Sequence, residues 1–289
     1  MKTLVLGCKG QLGQSLAGTV PEDIDIIGLD LPELDITDAA AVTAICRQCS
    51  PDVIINAAAY TAVEQAESEP ETATSINVEG VRNIAAASRD VDAKFIHIST
   101  DFVFDGESTT PYKSDAVTNP LNVYGQTKRD GELAALEETS GAAIIIRTSW
   151  LYSTTGTNFV TIMLRLMAER DELSVVADQF GTPTWADSLA DAVWAFAQTP
   201  EYNGVFHWSD GGATSWHGFA TKVQEEALSL GLLKKQIPIH AISAKDYPTA
   251  AKRPLYGVLD CSATHDAIGI RPVRWEANLR QMLMRKLAN

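Results

Sequence analysis

The sequence predicts an α/β fold in which a doubly wound parallel sheet is followed by a smaller C-terminal lobe. Short apolar runs of strand length alternate with helix-like segments through the first half of the chain, and this alternation is typical of a parallel sheet with connecting helices. A turn rich in glycine follows the first run. Beyond Trp150 the alternation loosens into Gly/Pro-rich segments with tryptophans at 185, 194, 208, 216 and 275. The second half is therefore expected to form the separate lobe.

The first predicted strand, 2–6, leads into the turn Gly7-Cys8-Lys9-Gly10-Gln11-Leu12-Gly13 and then into a helix. Glycines at these three positions permit a tight turn, a close approach of the backbone to a phosphate, and close packing of helix on strand. The free N–H groups at the start of the helix attract a pyrophosphate. The spacing GxxGxxG between a strand and a helix therefore predicts a dinucleotide-binding Rossmann domain.

The second predicted strand, 24–29, ends at Asp30, which lies 17 residues after Gly13. An acid at this position typically accepts hydrogen bonds from the hydroxyls of the adenosine ribose. It favours NADH, because the 2′-phosphate of NADPH would meet a negative charge and no arginine follows directly. The predicted cofactor is NADH or NADPH, with a preference for NADH.

The later elements complete the sheet. They are predicted in the order helix 39–48, strand 52–59, helix 71–89, strand 94–99, a helix through 124–128 and strand 143–147. Strand 52–59 ends in small residues that suit passage beneath a cofactor. We place an NAD(P)-binding domain at 1–151 and a substrate-binding lobe at 152–289, with part of about 172–202 packing back on the first domain.

Tyr124 and Lys128 are the candidate catalytic pair. Side chains four residues apart project from one face of a helix and reach a common point. A free tyrosine has a pKa of about 10, and a neighbouring ammonium lowers that pKa. Thr100, at the end of a strand facing this helix, can hydrogen-bond the reacting oxygen. The three side chains suggest redox chemistry at a carbonyl or alcohol; the alternative is an accidental YxxxK pattern on a half-buried surface.

Composition narrows the class of protein. The chain has 289 residues, of which 45% are hydrophobic and 21% charged, as is ordinary for a globular protein. No apolar run approaches about 18 residues, so no membrane span is predicted. The N-terminus enters a strand without a leader, which predicts a cytoplasmic location. A net charge of −14 argues against nucleic-acid binding.

The cysteines and histidines do not indicate a metal site. Cys46 and Cys49 form a CxxC that fits a redox pair or half a zinc site, but also the end of helix 39–48. No second CxxC or matching histidine pair accompanies it, and the five histidines are scattered. We therefore predict no metal in the catalytic site.

Eight segments, in order, resemble one family. They are GCKGQLG at 7–13, PDVIINAAAYTAVEQAESEPE at 51–71, STDFVFDG at 99–106, PLNVYGQTK at 120–128, RTSWLY at 147–152, NFVTIML at 158–164, DQFGTPT at 178–184 and YPTAAKRP at 247–254. In these segments the chain is similar to the dTDP-4-dehydrorhamnose reductases, which are extended short-chain dehydrogenase/reductases. The resemblance implies NAD(P)H-dependent reduction of the C4 keto group of dTDP-4-dehydro-6-deoxy-L-mannose to dTDP-L-rhamnose.

The resemblance also implies roles for individual residues. Tyr124 would protonate the alkoxide formed by hydride transfer, Lys128 would lower the tyrosine pKa and bind the nicotinamide ribose, and Thr100 would share the hydrogen bond to the sugar oxygen. The implied cofactor-binding residues are Gly7, Gly10, Gln11, Leu12, Gly13, Asp30, Asp35, Ile36, Ala59, Tyr60, Thr61, Tyr124 and Lys128. The implied substrate-binding residues are Thr100, Asp101, Trp150, Asn158 and Arg253.

Alternatives remain for some of these residues and for the function. Trp150 also suits the core, Arg253 an ion pair, and Asp101 the cap of a turn. The chain could instead be a nucleotide-sugar epimerase or dehydratase, although Asp101 is followed by Phe102 rather than by the second acid typical of a dehydratase. It could also be a non-catalytic NAD(P)-binding regulatory subunit, which loss of the Tyr/Lys pair would have indicated.

One departure from the family concerns oligomerisation. Some of these reductases dimerise through a magnesium ion held by acids, one of them in the helix after the glycine turn. Ser15 stands at that position, although Asp187 remains as another ligand. The sequence therefore argues against a metal-bridged dimer and leaves a homodimer open.

Overall fold

The computed structural model describes residues 1–199 and 201–288. Its strands are β1 (Lys2–Leu6), β2 (Asp25–Leu29), β3 (Val53–Asn56), β4 (Lys94–Thr100), β5 (Ile144–Thr148), β6 (Leu151–Tyr152), β7 (Leu173–Val176), β8 (Phe180–Gly181), β9 (Thr184–Trp185), β10 (Gly204–His207), β11 (Thr214–Ser215) and β12 (Ile239–Ile242). Its α-helices are α1 (Gln11–Gly18), α2 (Ala39–Cys49), α3 (Val63–Ala66), α4 (Pro70–Thr74), α5 (Val81–Asp90), α6 (Val123–Glu138), α7 (Phe159–Glu169), α8 (Ala186–Gln198), α9 (Trp216–Ser229), α10 (Ser262–Ile268) and α11 (Trp275–Ala288). Within these ranges no helix has the length and apolar character needed to cross a bilayer.

Six strands form a single parallel sheet in the order β2-β1-β3-β4-β5-β10. The first strand of the chain lies between β2 and β3, so the direction in which strands are added reverses beside it. In open α/β sheets the crevice at the carboxyl ends of the strands next to such a reversal is the usual ligand site. The predicted fold class, a doubly wound parallel sheet, is confirmed.

Helices cover both faces of this sheet. Successive strand side chains point to opposite faces, and Val5 and Leu4 accordingly belong to different apolar clusters. Val5 packs in a cluster with Leu16 of α1 and Trp194 of α8, whereas Leu4 packs in one with Ile84 of α5. The indole N–H of Trp194 also donates to the carbonyl of Leu16 at 3.2 Å. The late helix α8 therefore completes the cover of the sheet.

The remaining elements build a second apolar core. Helices α7, α9 and α11 and the parallel pair β7–β12 surround buried side chains that include Val160, Phe219, Trp275 and Met282. The chain thus leaves the sheet after β5, returns to it with α8 and β10, and leaves again. The predicted boundary after residue 151 stays a prediction.

The helix predicted over 71–89 is interrupted. A π-helical turn, Ser75–Gly80, separates α4 from α5. The carbonyl oxygen of Asn77 in this turn lies against Gly131 of α6, where any Cβ atom would overlap it. The fully buried Asn77 side chain accepts from the Tyr60 N–H at 2.9 Å and donates to the Thr127 hydroxyl at 3.1 Å. The wider turn thus ties the chain after β3 to α6, and π-turns are frequent at functional sites.

Candidate active site

A cleft of about 1050 Å³ opens at the carboxyl ends of the central strands. Its wall runs from the glycine turn after β1, past the ends of β4 and β5, to Trp216 and Arg253 in the second half of the chain. Of the residues predicted for the site, all except Gly13 and Tyr60 are in this wall. The fold therefore brings together side chains from both halves of the sequence.

Glycine is required at two positions of the turn for different reasons. Gly7 has φ of +81°, and a Cβ there would lie 2.6 Å from the Ala58 nitrogen. A Cβ at Gly13 would overlap the carbonyl oxygen of Gly7, so Gly13 lets α1 pack against the turn from behind the cleft. Gly10 precedes α1 and adds no capping side chain. The first N–H groups of α1 therefore have no side-chain cap, and such groups attract the pyrophosphate of a dinucleotide.

The end of the cleft beside β2 is lined by carboxylates. Asp30 accepts from the Lys9 N–H at 2.9 Å and from the Leu31 N–H at 2.8 Å, which fixes the orientation of its carboxylate. Asp35 accepts from the Thr37 hydroxyl at 2.8 Å. The same Asp35 oxygen also accepts from the Thr37 N–H at 2.9 Å, whereas each Asp30 oxygen keeps a lone pair for a further donor. Asp30 therefore has room for a further donor, and its role toward a ribose stays a prediction.

Ala59 and Thr61 line the cleft after β3, but the Tyr60 side chain points elsewhere. Its hydroxyl donates to Glu69 at 2.9 Å, and its backbone is held by Asn77. Only the backbone of Tyr60, and not its side chain, is therefore available at this position.

Thr100, Tyr124 and Lys128 meet in the cleft wall. Thr100 ends β4, and its hydroxyl donates to Asp101 at 3.1 Å. Tyr124 and Lys128 project from the first turns of α6, which begins after the cap residue Asn122; the Asn122 amide oxygen accepts from the Gly125 N–H at 2.7 Å. Lys128 is only 2% exposed, and its ammonium donates to the Ile98 carbonyl at 2.8 Å.

The electrostatics of Tyr124 differ from the prediction. Burial raises the pKa of Tyr124 to about 12, the charge of Asp101 raises it as well, and the hydrogen bond with Thr100 lowers it. Lys128, expected to depress this pKa, has no part in the shift; burial lowers its own pKa to about 8. The Tyr124 phenol is therefore protonated at neutral pH, as a proton donor must be.

Asp101 lies 2% exposed beside Thr100, and burial raises its pKa from 3.8 to about 7. A carboxyl whose pKa is higher in the folded state adds stability at low pH and loses it as the pH rises through the folded pKa. We therefore expect the free energy of unfolding of Asp101→Asn, taken relative to that of the wild type, to be higher at about pH 8 than at about pH 5. Urea unfolding at both pH values measures this, and an unchanged difference between the two proteins would contradict it.

The far end of the cleft is aromatic. Trp150 has φ of +47°, an unusual conformation for a bulky residue, and its indole stacks on Trp216 with ring centroids 3.5 Å apart. A Cβ at Gly181 would lie 2.5 Å from the Trp150 ring. The glycine of the DQFGTPT segment therefore makes room for Trp150, which both packs against the second apolar core and lines the cleft.

Asn158 and Arg253 have protein partners in the cleft wall. Asn158 caps α7 by accepting from the Thr161 N–H at 3.1 Å, and its amide donates to the Gln11 side chain at 2.9 Å. Arg253 pairs with Glu64 at 2.7 Å. The ion-pair alternative for Arg253 is thus present in the structure, and a role toward substrate requires that the pair be shared or exchanged.

Asp187, the acid that the family resemblance left as a possible magnesium ligand, is engaged by protein groups. Its carboxylate accepts from the Ser15 hydroxyl at 2.6 Å and pairs with Arg285. Arg285 also lies over the Trp185 ring at 4.7 Å. The Asp187 carboxylate is thus already paired with the Arg285 guanidinium. Within the described residues, no group of three or more His, Cys, Asp or Glu side chains is arranged to hold a metal ion.

Comparison with known proteins assigns the chain to a family. The model of the RmlD substrate binding domain matches residues 1–287. This chain belongs to that family. It is 40% identical to a dTDP-4-dehydrorhamnose reductase of Aggregatibacter actinomycetemcomitans, over 97% of this chain and 98% of that protein. It is similar to solved dTDP-4-dehydrorhamnose reductases of Clostridium acetobutylicum (35% identity, TM-score 0.92, 99% of each chain) and of Bacillus anthracis in complex with NADP (36%, 0.92, 98% and 99%).

In this member of the RmlD substrate binding domain family, a buried ion pair supports the site. Arg147 of β5 and Glu132 of α6 are joined by two hydrogen bonds of 2.7 and 2.8 Å. The Ser99 hydroxyl donates to the same carboxylate at 2.5 Å. This pair was not predicted, although Glu132 lies four residues after Lys128 and Arg147 ends the otherwise apolar segment predicted as strand 143–147.

Lys128 also lies beside a buried imidazole, that of His97, in this RmlD-family chain. His97 is fully buried, with one ring nitrogen 3.4 Å from the Lys128 nitrogen and the other 3.1 Å from the Asn56 amide. Burial and the lysine charge hold the pKa of His97 well below its usual value, so the imidazole is neutral. A polar histidine inside the apolar strand β4 was the available sequence signal.

Proposed function

We propose that this chain is a dTDP-4-dehydrorhamnose reductase, which reduces the C4 keto group of dTDP-4-dehydro-6-deoxy-L-mannose to give dTDP-L-rhamnose. The observation that carries the proposal is the meeting of Tyr124, Thr100 and the buried Lys128 in a cleft that starts at a dinucleotide-type glycine turn. Relatives about 40% identical over nearly the whole chain bear the name of this activity, which supports the choice of substrate.

The glycine turn fits a nicotinamide dinucleotide. Gly7 admits no Cβ beside Ala58, and no side chain of the cap residue Gly10 bonds to the N–H groups that begin α1. Asp30 and Asp35 are available to the ribose and adenine at one end, and Lys128 to the nicotinamide ribose at the other. A cofactor bound in this way, NADH or NADPH, supplies the hydride that C4 of the keto sugar accepts.

Tyr124 completes the reduction by donating its proton to the sugar oxygen. The carbonyl gains one hydride at carbon and one proton at oxygen, which gives the alcohol. The raised pKa of Tyr124 keeps the phenol protonated until the basic alkoxide develops. Thr100 orients that oxygen, and the Lys128 ammonium stabilises the remaining phenolate until water restores its proton. General acid catalysis of this kind contributes about 10²–10⁴-fold.

In this proposal the sugar nucleotide binds between the ends of β4 and β5 and residues of the second half of the chain. Asp101 and Trp150 face the deoxysugar, Asn158 lies beside Gln11 where the two halves meet, and Arg253 exchanges Glu64 for the nucleotide diphosphate. That exchange costs little free energy, because both partners of the pair are partly exposed and such pairs contribute little to stability.

The test is cofactor oxidation on addition of the keto sugar, followed by mass analysis of the product. The proposal predicts oxidation of NADH or NADPH that depends on the sugar, with a product two hydrogens heavier. An isomerised sugar without net cofactor oxidation would favour an epimerase. Tight cofactor binding with no reaction would favour the regulatory-subunit alternative.

Asp30→Ala is expected to weaken NADH binding about tenfold and NADPH binding less. The variant loses a charged hydrogen bond to the ribose in both complexes, but it also relieves the repulsion that the 2′-phosphate meets. Dissociation constants from cofactor fluorescence measure the effect, with the exposed Asp25→Ala as the control. An equal loss for both cofactors would show that Asp30 does not distinguish the two riboses.

A further inference from the structure

His97 lies in β4, and its two ring nitrogens face different partners. Nδ1 is 3.1 Å from the side-chain nitrogen of Asn56, and Nε2 is 3.4 Å from the Lys128 nitrogen. The imidazole and the Asn56 side chain are both fully buried. The position of the ring proton is therefore decided by these two contacts.

The orientation of Asn56 fixes that proton. The Asn56 amide oxygen accepts from the Ala58 N–H at 3.1 Å, so the NH₂ group of Asn56 is the part that faces His97. The opposite orientation of the amide would bring two N–H donors together at Ala58. Nδ1 of His97 must therefore accept. Because the imidazole is neutral, its single proton is on Nε2 and points to Lys128.

An N–H that points at the Lys128 nitrogen distinguishes the two charge states of the lysine. A neutral amine has a lone pair that accepts from the Nε2–H, whereas an ammonium has only donors. The Ile98 carbonyl, at 2.8 Å, accepts from Lys128 in either state. The amine can therefore bond to both neighbours, and the ammonium to only one. The contact with His97 adds to burial in favouring loss of the lysine proton.

Other charges around Lys128 come from its own helix. Tyr124 lies one turn before Lys128 on α6, and Glu132 lies one turn after it. Glu132 raises the pKa of Lys128, but its carboxylate is paired with Arg147 of β5, and burial prevails and lowers the pKa to about 8. The charge of Asp101 acts on Tyr124, whose pKa it raises. Lys128 is therefore balanced close to neutral pH, where a single hydrogen bond is enough to shift its charge state.

We propose that His97 is a positioning residue for Lys128: Asn56 fixes its ring, and its Nε2–H faces the lysine nitrogen and favours the amine over the ammonium. The inference rests on the proposed function, in which the Lys128 ammonium binds the nicotinamide ribose and stabilises the phenolate. The contact with His97 then sets the pH above which that ammonium is lost.

Nuclear magnetic resonance of the ligand-free protein tests the assignment without any reaction. The ¹⁵N shifts of the imidazoles report the ring tautomer, and we expect the His97 proton on Nε2. The ¹³Cε shift of Lys128, identified by its loss in Lys128→Met, reports the charge of the lysine. His97→Phe keeps a ring but has no N–H, and we expect Lys128 to titrate about one pH unit higher in this variant, a tenfold change in acid dissociation. The control is His240→Phe, because His240 is an exposed histidine of β12 that pairs with Glu172.

Asn56→Asp is expected to reverse the tautomer in a side chain of the same shape. One carboxylate oxygen can still accept from the Ala58 N–H, and the other requires a donor at Nδ1 of His97. Nε2 is then free to accept from the Lys128 ammonium. We expect the ¹⁵N shifts to place the His97 proton on Nδ1 and Lys128 to titrate at a higher pH than in the wild type. This variant and the wild-type tautomer test the inference even where His97→Phe does not fold.

Two results would overturn the inference. They are a wild-type His97 with its proton on Nδ1, and a Lys128 titration that His97→Phe leaves unchanged. A purely structural role of His97 would lower the stability of the variant without moving that titration. A wild type that shows the expected tautomer and titration but reduces no keto sugar would refute the proposed function and leave the assignment of His97 standing.

Discussion

Tyr124→Phe is expected to lower kcat by at least two orders of magnitude and to leave cofactor affinity within about twofold of the wild type. The phenylalanine fills the same volume but has no proton to donate to the developing alkoxide. The Tyr124 hydroxyl faces Thr100 and Asp101 rather than the glycine turn, so its loss should spare the cofactor. Single-turnover rates with saturating keto sugar measure the effect on the chemical step.

Tyr202→Phe is the matched control for this variant. Tyr202 packs against Phe196 and Phe206 on the opposite side of the sheet. The turnover of the Tyr202→Phe variant should therefore equal that of the wild type. Near-normal turnover in Tyr124→Phe would remove Tyr124 from the role of proton donor. A parallel fall in both variants would indicate a general loss of folded protein.

Glu132→Ala is expected to lower the free energy of unfolding by about 3–5 kcal/mol, because it leaves the Arg147 guanidinium buried without its counter-charge. The two side chains are only 4% and 5% exposed and are joined by two hydrogen bonds. Ser99, next to Thr100, loses its acceptor as well. Urea denaturation of the variant and the wild type measures the difference.

Two further variants make this prediction specific. Glu137 lies on the same helix but pairs with Arg82 at 72% exposure, so Glu137→Ala should cost less than about 1 kcal/mol. The double variant Glu132→Leu/Arg147→Met removes both charges and should be more stable than Glu132→Ala alone. A loss below about 1 kcal/mol in Glu132→Ala would show that the buried pair does not matter for stability.

The fold class, the glycine turn, Asp30 and the Tyr124–Lys128 pair followed from local patterns, whereas residues such as Trp150 and Arg253 were implied only by the family resemblance. Strand periodicity and alternating helices are properties of neighbouring residues, and in a parallel sheet the carboxyl ends of all strands meet at one edge. Residues at the ends of predicted strands, such as Asp30 and Thr100, therefore fell into the cleft wall. The exceptions are informative: Gly13 acts behind the turn, and the Tyr60 side chain bonds to Glu69 instead.

Structural features that depend on contacts between distant segments of the chain could not be predicted from local patterns. The π-helical turn at Ser75–Gly80 is tied to the close approach of Asn77 to Gly131, 54 residues later in the sequence. The pairing of Arg253 with Glu64 joins the two halves of the chain. The sequence around one residue of such a pair does not indicate which residue it will contact, because these contacts depend on packing rather than on periodicity.

By itself, the sequence determined the parallel α/β architecture, the glycine turn, and the Tyr124–Lys128 pair on one helix face, because each depends only on local spacing. The tertiary structure decided the charge states within that site. Burial raises the pKa of Tyr124 and lowers that of Lys128, and folding brings the backbone N–H of Lys9 to the Asp30 carboxylate. Desolvation and charge proximity are functions of three-dimensional distance, which the order of residues along the chain does not specify.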